Sequence, residues 1–386
     1  MTQFLAYDEL TWPEVRLLPR HTPIVLPLGS GYPLNRLAEA LDNPPDIFML
    51  PSFPYGWLGS DLALPEPILE RYLANLIFSL RDDGFSNCVV LSPQGLNLSL
   101  PVPWLALPQQ VGSAAGSLPP DGEQSKVVLI PIGHTEQHGY HLPLSTDTLI
   151  IDAIGLGTAA AAPEQVTLLP VMPYGVSTHR PSFAGTLNSG GRVFEDFWIA
   201  AIDVLVARGF DRFYLINGHG GNSSYIINAV KAAGERHRRI FCATAWLYLS
   251  GPDGIAALEK YRQSDRGGMG HACELETSFI LHLRPSLVHM DRVVNETDFV
   301  STPSYYMDWV EGGALIANPP WDDDTKTGAY GAGSLATAEK GEIWLKAAIA
   351  EKVSHIAEIN EQHRQREERR NNGFGLWGEH KLIQER

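Results

Sequence analysis

At 386 residues, 44% of them hydrophobic and only 19% charged, the chain is long enough for two domains and apolar enough to fill their cores. Its formal net charge of −15 leaves no basic footprint and excludes nucleic-acid binding as a leading role. Three cysteines (Cys88, Cys242 and Cys273), none in a CxxC pair, exclude a disulfide framework and a cysteine-rich zinc finger. The opening MTQFLAYDELTW lacks the basic and apolar regions of a signal peptide, and no apolar run approaches the ~20 residues that span a bilayer. A cytoplasmic protein engaging neither nucleic acid nor membrane is therefore expected.

Residues 1–100 form a front segment, whose clearest element is a helical stripe of Ile68, Tyr72, Leu76 and Leu80. Residues 101–125, rich in Pro, Gly, Ser and Gln, read as a linker. The main segment, 126–370, alternates apolar runs with helical patterns. Runs at 127–132 (VVLIPI), 166–171 (VTLLPV), 213–216 (FYLI) and 240–245 (IFCATA) read as buried strands. Between the second and third, Phe194, Trp198, Ile202 and Leu205 mark an amphipathic helix over 192–208, closed by Gly209. A long helix over about 335–369 carries Leu345, Ile349, Val353 and Ile356 on one stripe, and 371–386 is a tail. The alternation predicts an α/β fold with a mostly parallel sheet covered by helices on both faces. Active sites in such sheets collect at the carboxyl ends of strands.

The front segment echoes the main one three times in order. LPLGSGYPLN (26–35) echoes IPIGHTEQHG (130–139), LPSFPYG (50–56) echoes LPVMPYG (169–175), and RDDGFSNCVVLSPQG (81–95) echoes ARGFDRFYLINGHGG (207–221). Tyr32 stands opposite Glu136, Leu34 opposite His138 and Gln94 opposite His219. The front segment thus reads as a smaller α/β domain, a degenerate half copy that kept the scaffold and lost the polar residues.

Those polar residues lie in three clusters. EQHGYHLPLSTD (136–147) follows the first strand, and Glu136 and His138, two apart, share a side of an extended chain. INGHGGN (216–222) ends the third strand, with glycines around His219 that allow close backbone approach. GHACELETS (270–278), if it opens a helix, puts His271 and Glu274 on one face, with Glu276 as a supporting or capping residue. Glu136, His138, Asp147, His219 and Glu274 are five oxygen and nitrogen donors with no thiolate. They suit one or two divalent ions, Zn first and Mn or Fe next, with Asp147 best placed to bridge. Such ions bring bound water toward a pKa of ~7 and polarise a carbonyl, while His271 can protonate a leaving nitrogen.

At these residues the sequence resembles the creatininase (creatinine amidohydrolase) family over roughly 127–350. PIGHTEQHGYHLPLSTD, NGHGGN, GHACELETS and SLATAEKG (334–341) match four family motifs in order, and DELTWPEV (8–15) resembles the usual opening of a member. The resemblance implies a three-layer α/β/α fold and a two-metal hydrolase acting on non-peptide C–N bonds of a small molecule, commonly as a homo-oligomer. It would give Glu136 and His219 to one ion, His138 and Glu274 to the other, and Asp147 to both, with His271 as catalytic histidine. Trp246 matches one of two tryptophans that frame creatinine, whereas the other aligns near Gly267, which disfavours creatinine itself. STHRPSFAGT (177–186) resembles the substrate loop, making His179 and Arg180 substrate-binding candidates. The expected activity is hydrolysis of a cyclic amide, lactam or formamide. The alternatives are a non-catalytic metal-binding scaffold and another two-metal hydrolase such as a phosphoesterase.

Overall fold

The computed structural model describes residues 1–109, 117–178, 182–309 and 312–372. Its centre is a four-stranded parallel sheet built from β6 (Val127–Ile132), β7 (Val166–Leu168), β8 (Arg212–Asn217) and β9 (Phe241–Thr244), in the order β7-β6-β8-β9. Alternate residues of β6 enter two different cores. Val128, Ile130 and Ile132 join one, while Val127 and Leu129 join the other. Tyr214 and Ile216 of β8 face the second core, and Phe213 and Leu215 the first. Continuous apolar runs are what a sheet buried on both faces requires.

Helix α5 (Gly191–Ala207) covers the first face, burying Phe194, Trp198, Ile202 and Leu205, beside α6 (Ser223–Arg236). The second face lies under α4 (Thr146–Ala161), α8 (Glu274–Leu283) and α9 (Ala338–Asn371). The buried stripe of α9 runs through Trp344, Ala348, Lys352 and Ile356. It is thus one position away from the expected Leu345, Ile349 and Val353, which are half-buried. The expected three-layer arrangement and mostly parallel sheet are therefore present.

The front segment has its own five-stranded parallel sheet: β1 (Gln3–Ala6), β2 (Ile24–Pro27), β3 (Asp46–Met49), β4 (Cys88–Pro93) and β5 (Trp104–Leu107), ordered β1-β3-β2-β4-β5. Strand β5 corrects the reading of 101–125 as linker throughout. Its run WLAL is short and only partly buried, and Pro101 and Pro103 precede it, the pattern of an edge strand that composition alone reads as loop. Within this sheet the stretch β3-β2-β4-β5 repeats the order β7-β6-β8-β9. The echoing sequences sit on corresponding strands.

The two sheets are joined through one core. Helix α3 (Glu66–Asp82) packs on α5, and Tyr72, Leu73, Leu76 and Leu80 share a cluster with Phe194, Phe197 and Trp198. Tyr72 donates to Tyr174 O (2.8 Å) and Asn75 to Ser189 O (2.6 Å). Trp12, from α1 (Trp12–Leu17), donates through Nε1 to Thr327 O (2.8 Å) and packs edge-on against Phe183. A chain lacking residues 1–109 should therefore expose this shared core and aggregate, read as loss of soluble protein. Trp12→Ala in the full chain should lower stability by ~3–5 kcal/mol in denaturant titration.

Candidate metal centre

The sheet order reverses between β6 and β8, and the site lies at their carboxyl ends, where α/β sheets leave a crevice. Gly133 follows β6 and passes so close to α4 that a Cβ there would meet Thr148 Cα at 2.6 Å. The following loop carries Glu136 and His138, then turns into α4, whose first turn carries Asp147. The front segment holds that turn. Leu144 N donates to Leu10 O and Ser145 N to Asp8 O, both at 2.9 Å. Past β8, a Cβ on Gly218 would meet the backbone oxygen of Asp147 at 2.9 Å, so glycine is needed to bring His219 in.

Glu136, His138, Asp147, His219 and His271 converge, all 6% exposed or less. His219 Nδ1 lies 3.0 Å from Glu136 Oε1 and 3.1 Å from Asp147 Oδ2. His138 Nε2 lies 3.2 Å from Asp147 Oδ1 and 3.9 Å from Glu276 Oε2. The two oxygens of Asp147 thus face two different histidines. His271 Nδ1 is 3.6 Å from Glu136 Oε1.

Backbone carbonyls decide which imidazole nitrogens face this centre. His138 Nδ1 donates to Glu136 O (3.0 Å), His219 Nε2 to Val176 O (3.0 Å) and His271 Nε2 to Gln137 O (2.7 Å). A neutral ring carries one N–H, so His138 Nε2, His219 Nδ1 and His271 Nδ1 are left as bare lone pairs. All three face carboxylate oxygens, those of His138 and His219 at 3.0–3.2 Å and that of His271 at 3.6 Å. Among the described residues Glu136 Oε1, His138 Nε2 and Asp147 Oδ2 have no hydrogen-bond partner although buried.

Lone pairs facing carboxylates require protons or cations between them. Burial opposes charge on His138, yet Asp147 and Glu276 outweigh it and raise its pKa to about 9. Burial likewise opposes the charged forms of His219 and Glu136. Their mutual attraction, aided by Asp147 on His219 and by His271 on Glu136, raises the imidazole well above its ordinary value and holds the carboxyl well below. Burial, with Asp147 nearby, lifts the Glu276 carboxyl to about 7, and burial with His138 nearby lowers His271 to about 3. These buried, unpaired donors, with oxygen and nitrogen but no sulfur, fit divalent cations that would take the place of the protons.

The structure corrects the position of one expected ligand. Glu274 is fully buried but points away from the centre, paired with Lys340 Nζ (2.5 Å) and accepting from Ser264 N (2.8 Å). Glu276 takes the place beside His138 and Asp147. The reason is where the helix begins. His271 belongs to β10 (Met269–His271), Ala272 has φ +49°, and α8 starts only at Glu274. His271 and Glu274 therefore do not share a helical face.

Trp246 also lies elsewhere. It lines a cavity of about 420 Å³ at the β9 edge with Tyr214, Phe241 and His355, and no member of the cluster lines it. The aromatic group beside His271 is Trp321, at 4.6 Å between ring centroids, itself packed on Tyr330. His179 and Arg180 lie outside the described residues. His134, absent from the sequence expectations, joins Glu136 and His219 with ligand atoms within 4.8 Å of one another. Its neighbourhood of alternating Glu and His in HTEQH was the only sequence signal for it.

The sequence model of the creatininase family (creatinine amidohydrolase) matches residues 120–356. The chain belongs to the creatininase family. It is similar to the mycofactocin precursor peptide peptidase of Mycobacterium ulcerans, 30% identical over 240 residues covering 60% of this chain and 84% of that one. It is 28% identical over 243 residues to the creatinine amidohydrolase of Pseudomonas putida (58% and 85% covered). It also matches the 3-dehydro-scyllo-inosose hydrolase of Thermotoga maritima, 25% identical over 253 residues (59% and 75% covered). Among solved structures, a variant creatininase complexed with creatine superposes with TM-score 0.52 at 25% identity, over 62% of this chain and 94% of that one. A creatinine amidohydrolase fold from Bacteroides fragilis gives TM-score 0.51 at 22% identity, over 61% and 90%. The relatives and the donor cluster make this creatininase-family chain a metal-dependent hydrolase. No helix among the described residues is long and apolar enough to cross a membrane.

Two outcomes follow from the geometry. Below pH about 9 the metal-free protein holds a proton on His138 that a cation must displace, so apparent zinc affinity should fall as pH drops through 9, with protons released on binding. Calorimetry in buffers of differing ionisation enthalpy measures both. Glu276→Gln should reduce the bound metal, whereas Glu274→Gln should keep it and instead cost about 3–5 kcal/mol by stranding Lys340, read by elemental analysis and denaturant titration.

Proposed function

We propose that the protein hydrolyses an amide-type C–N bond of a small molecule, a cyclic amide, lactam or formamide, at a pair of divalent ions. The reading is carried by one observation: Asp147 turns one oxygen toward His138 and the other toward His219. Glu136, His219 and Asp147 would hold one ion, and His138, Glu276 and Asp147 the other, with zinc the first expectation. When bound, such ions polarise a carbonyl and bring the pKa of water toward ~7.

The chain's own residues supply the rest. His271 is neutral, with its proton on Nε2 fixed to Gln137 O and Nδ1 open. It can accept a proton at Nδ1 and pass it to the leaving nitrogen. Trp321, 7% exposed, packs edge-on against the His271 ring.

A second reading is favoured by the 30% identity to a mycofactocin precursor peptide peptidase, in which the amide belongs to a short peptide. A homo-oligomer in the cytoplasm is part of the proposal. Assays of the zinc- and manganese-loaded protein on lactams, formamides, short peptides and a phosphodiester separate these readings. Turnover confined to the phosphodiester would overturn the amidohydrolase reading. On whichever amide is turned over, chelation should abolish activity. His271→Asn should lower kcat by ~10²–10⁴-fold at unchanged metal content.

A further inference from the structure

Four histidines surround the centre, and the backbone orients three of them alike. His138, His219 and His271 each give an N–H to a carbonyl and turn a lone pair inward. His134 is wired the opposite way. Its Nδ1 accepts from the backbone N–H of Gly175 at 2.9 Å. An amide N–H can only donate, so the neutral ring must carry its proton on Nε2. That nitrogen is fully buried and has no hydrogen-bond partner among the described residues. A ring nitrogen of His134 lies within 4.8 Å of ligand atoms of Glu136 and His219, and the imidazole rings of His134 and His219 are 4.5 Å apart.

A protonated nitrogen offers no lone pair to a cation. We propose that His134 is not a metal ligand but a fixed N–H donor, whose Nε2–H binds the carbonyl oxygen of the substrate and the negative charge that grows on it during attack. The inference rests on the metal-dependent hydrolase reading above and adds a donor to it. The surroundings keep the ring in place. Thr148 Oγ1 donates to His134 O (2.9 Å), and Asn222 ties Val176 N and Gly133 O across the loop that supplies Gly175. Donors held rigidly in a dry site, aimed where charge develops, are worth ~10²–10³ in rate. The corresponding position of the front segment is Ser30, a copy that lacks the rest of the centre too.

Two substitutions separate this role from a merely structural one. In His134→Asn the amide oxygen can still accept from Gly175 while the inward donor is gone. In His134→Gln the amide N–H reaches the Nε2 position while the Gly175 anchor is lost. Zinc content and acetate affinity of the zinc-loaded protein are the readouts, acetate being the oxygen probe. The expected result is unchanged zinc in both variants, at least tenfold weaker acetate binding in His134→Asn, and near wild-type binding in His134→Gln. On an identified substrate, His134→Asn should lower kcat with little change in KM. Loss of zinc in both variants would make His134 a ligand and overturn the proposal, as would acetate binding in His134→Asn equal to wild type. Nitrogen-15 spectra of histidine-labelled, metal-free protein, assigned through His134→Gln, give the tautomer directly. A proton on Nδ1 would overturn the proposal even if the wild type takes up no zinc, a result that would count instead against the functional reading.

Discussion

Three carboxylates sunk beside imidazole lone pairs are the condition on which the rest of the molecule depends. Unit charges ~4 Å apart interact by about 4 kcal/mol at the effective dielectric of partly buried sites. Glu136, Asp147 and Glu276 would repel one another, and the lone pairs on His138 and His219, without positive charge among them. Hydrogen bonds to backbone carbonyls make this condition strict, because they fix each ring's tautomer and deny it the easy rotation that would relieve the contact. The glycines at 133 and 218 then have a single purpose: they let two strand ends approach α4 closely enough for the groups to meet.

How much of this was readable from sequence depends on where each residue sits. The strands of the central sheet are apolar runs bounded by helical periods, and they lie where the pattern placed them. The first two clusters were legible because they directly follow strands, whose ends fix position well. The third was not. Whether GHACELETS begins as strand or helix turns on Ala272 at φ +49°, and Glu274 is drawn away by Lys340, 66 residues later in the chain. Trp246 follows β9 in the chain, but the cavity it lines includes no member of the donor cluster. Strand β5 is not legible in sequence because a proline-flanked edge strand resembles a loop until its neighbour is known.

The shared strand order of the two sheets gives the internal echoes a three-dimensional counterpart. Where the main sheet has Glu136 and His138, the front sheet has Tyr32 and Leu34. Tyr32 OH donates to Leu28 O (2.6 Å), an ordinary structural hydrogen bond. The front segment touches the surroundings of the centre through α3 against α5 and through the carbonyls of Asp8 and Leu10, which accept from the turn before Asp147.

That last contact ties distant parts of the chain into one thermodynamic unit. The amides two and three residues ahead of Asp147 hang on carbonyls of Asp8 and Leu10, so the start of the chain cannot peel away without loosening Asp147. Linkage makes the coupling reciprocal, and an ion that tightens Asp147 also tightens its distant anchor. Occupancy at the centre would thereby protect the amino terminus against proteases, although neither Asp8 nor Leu10 belongs to the donor cluster.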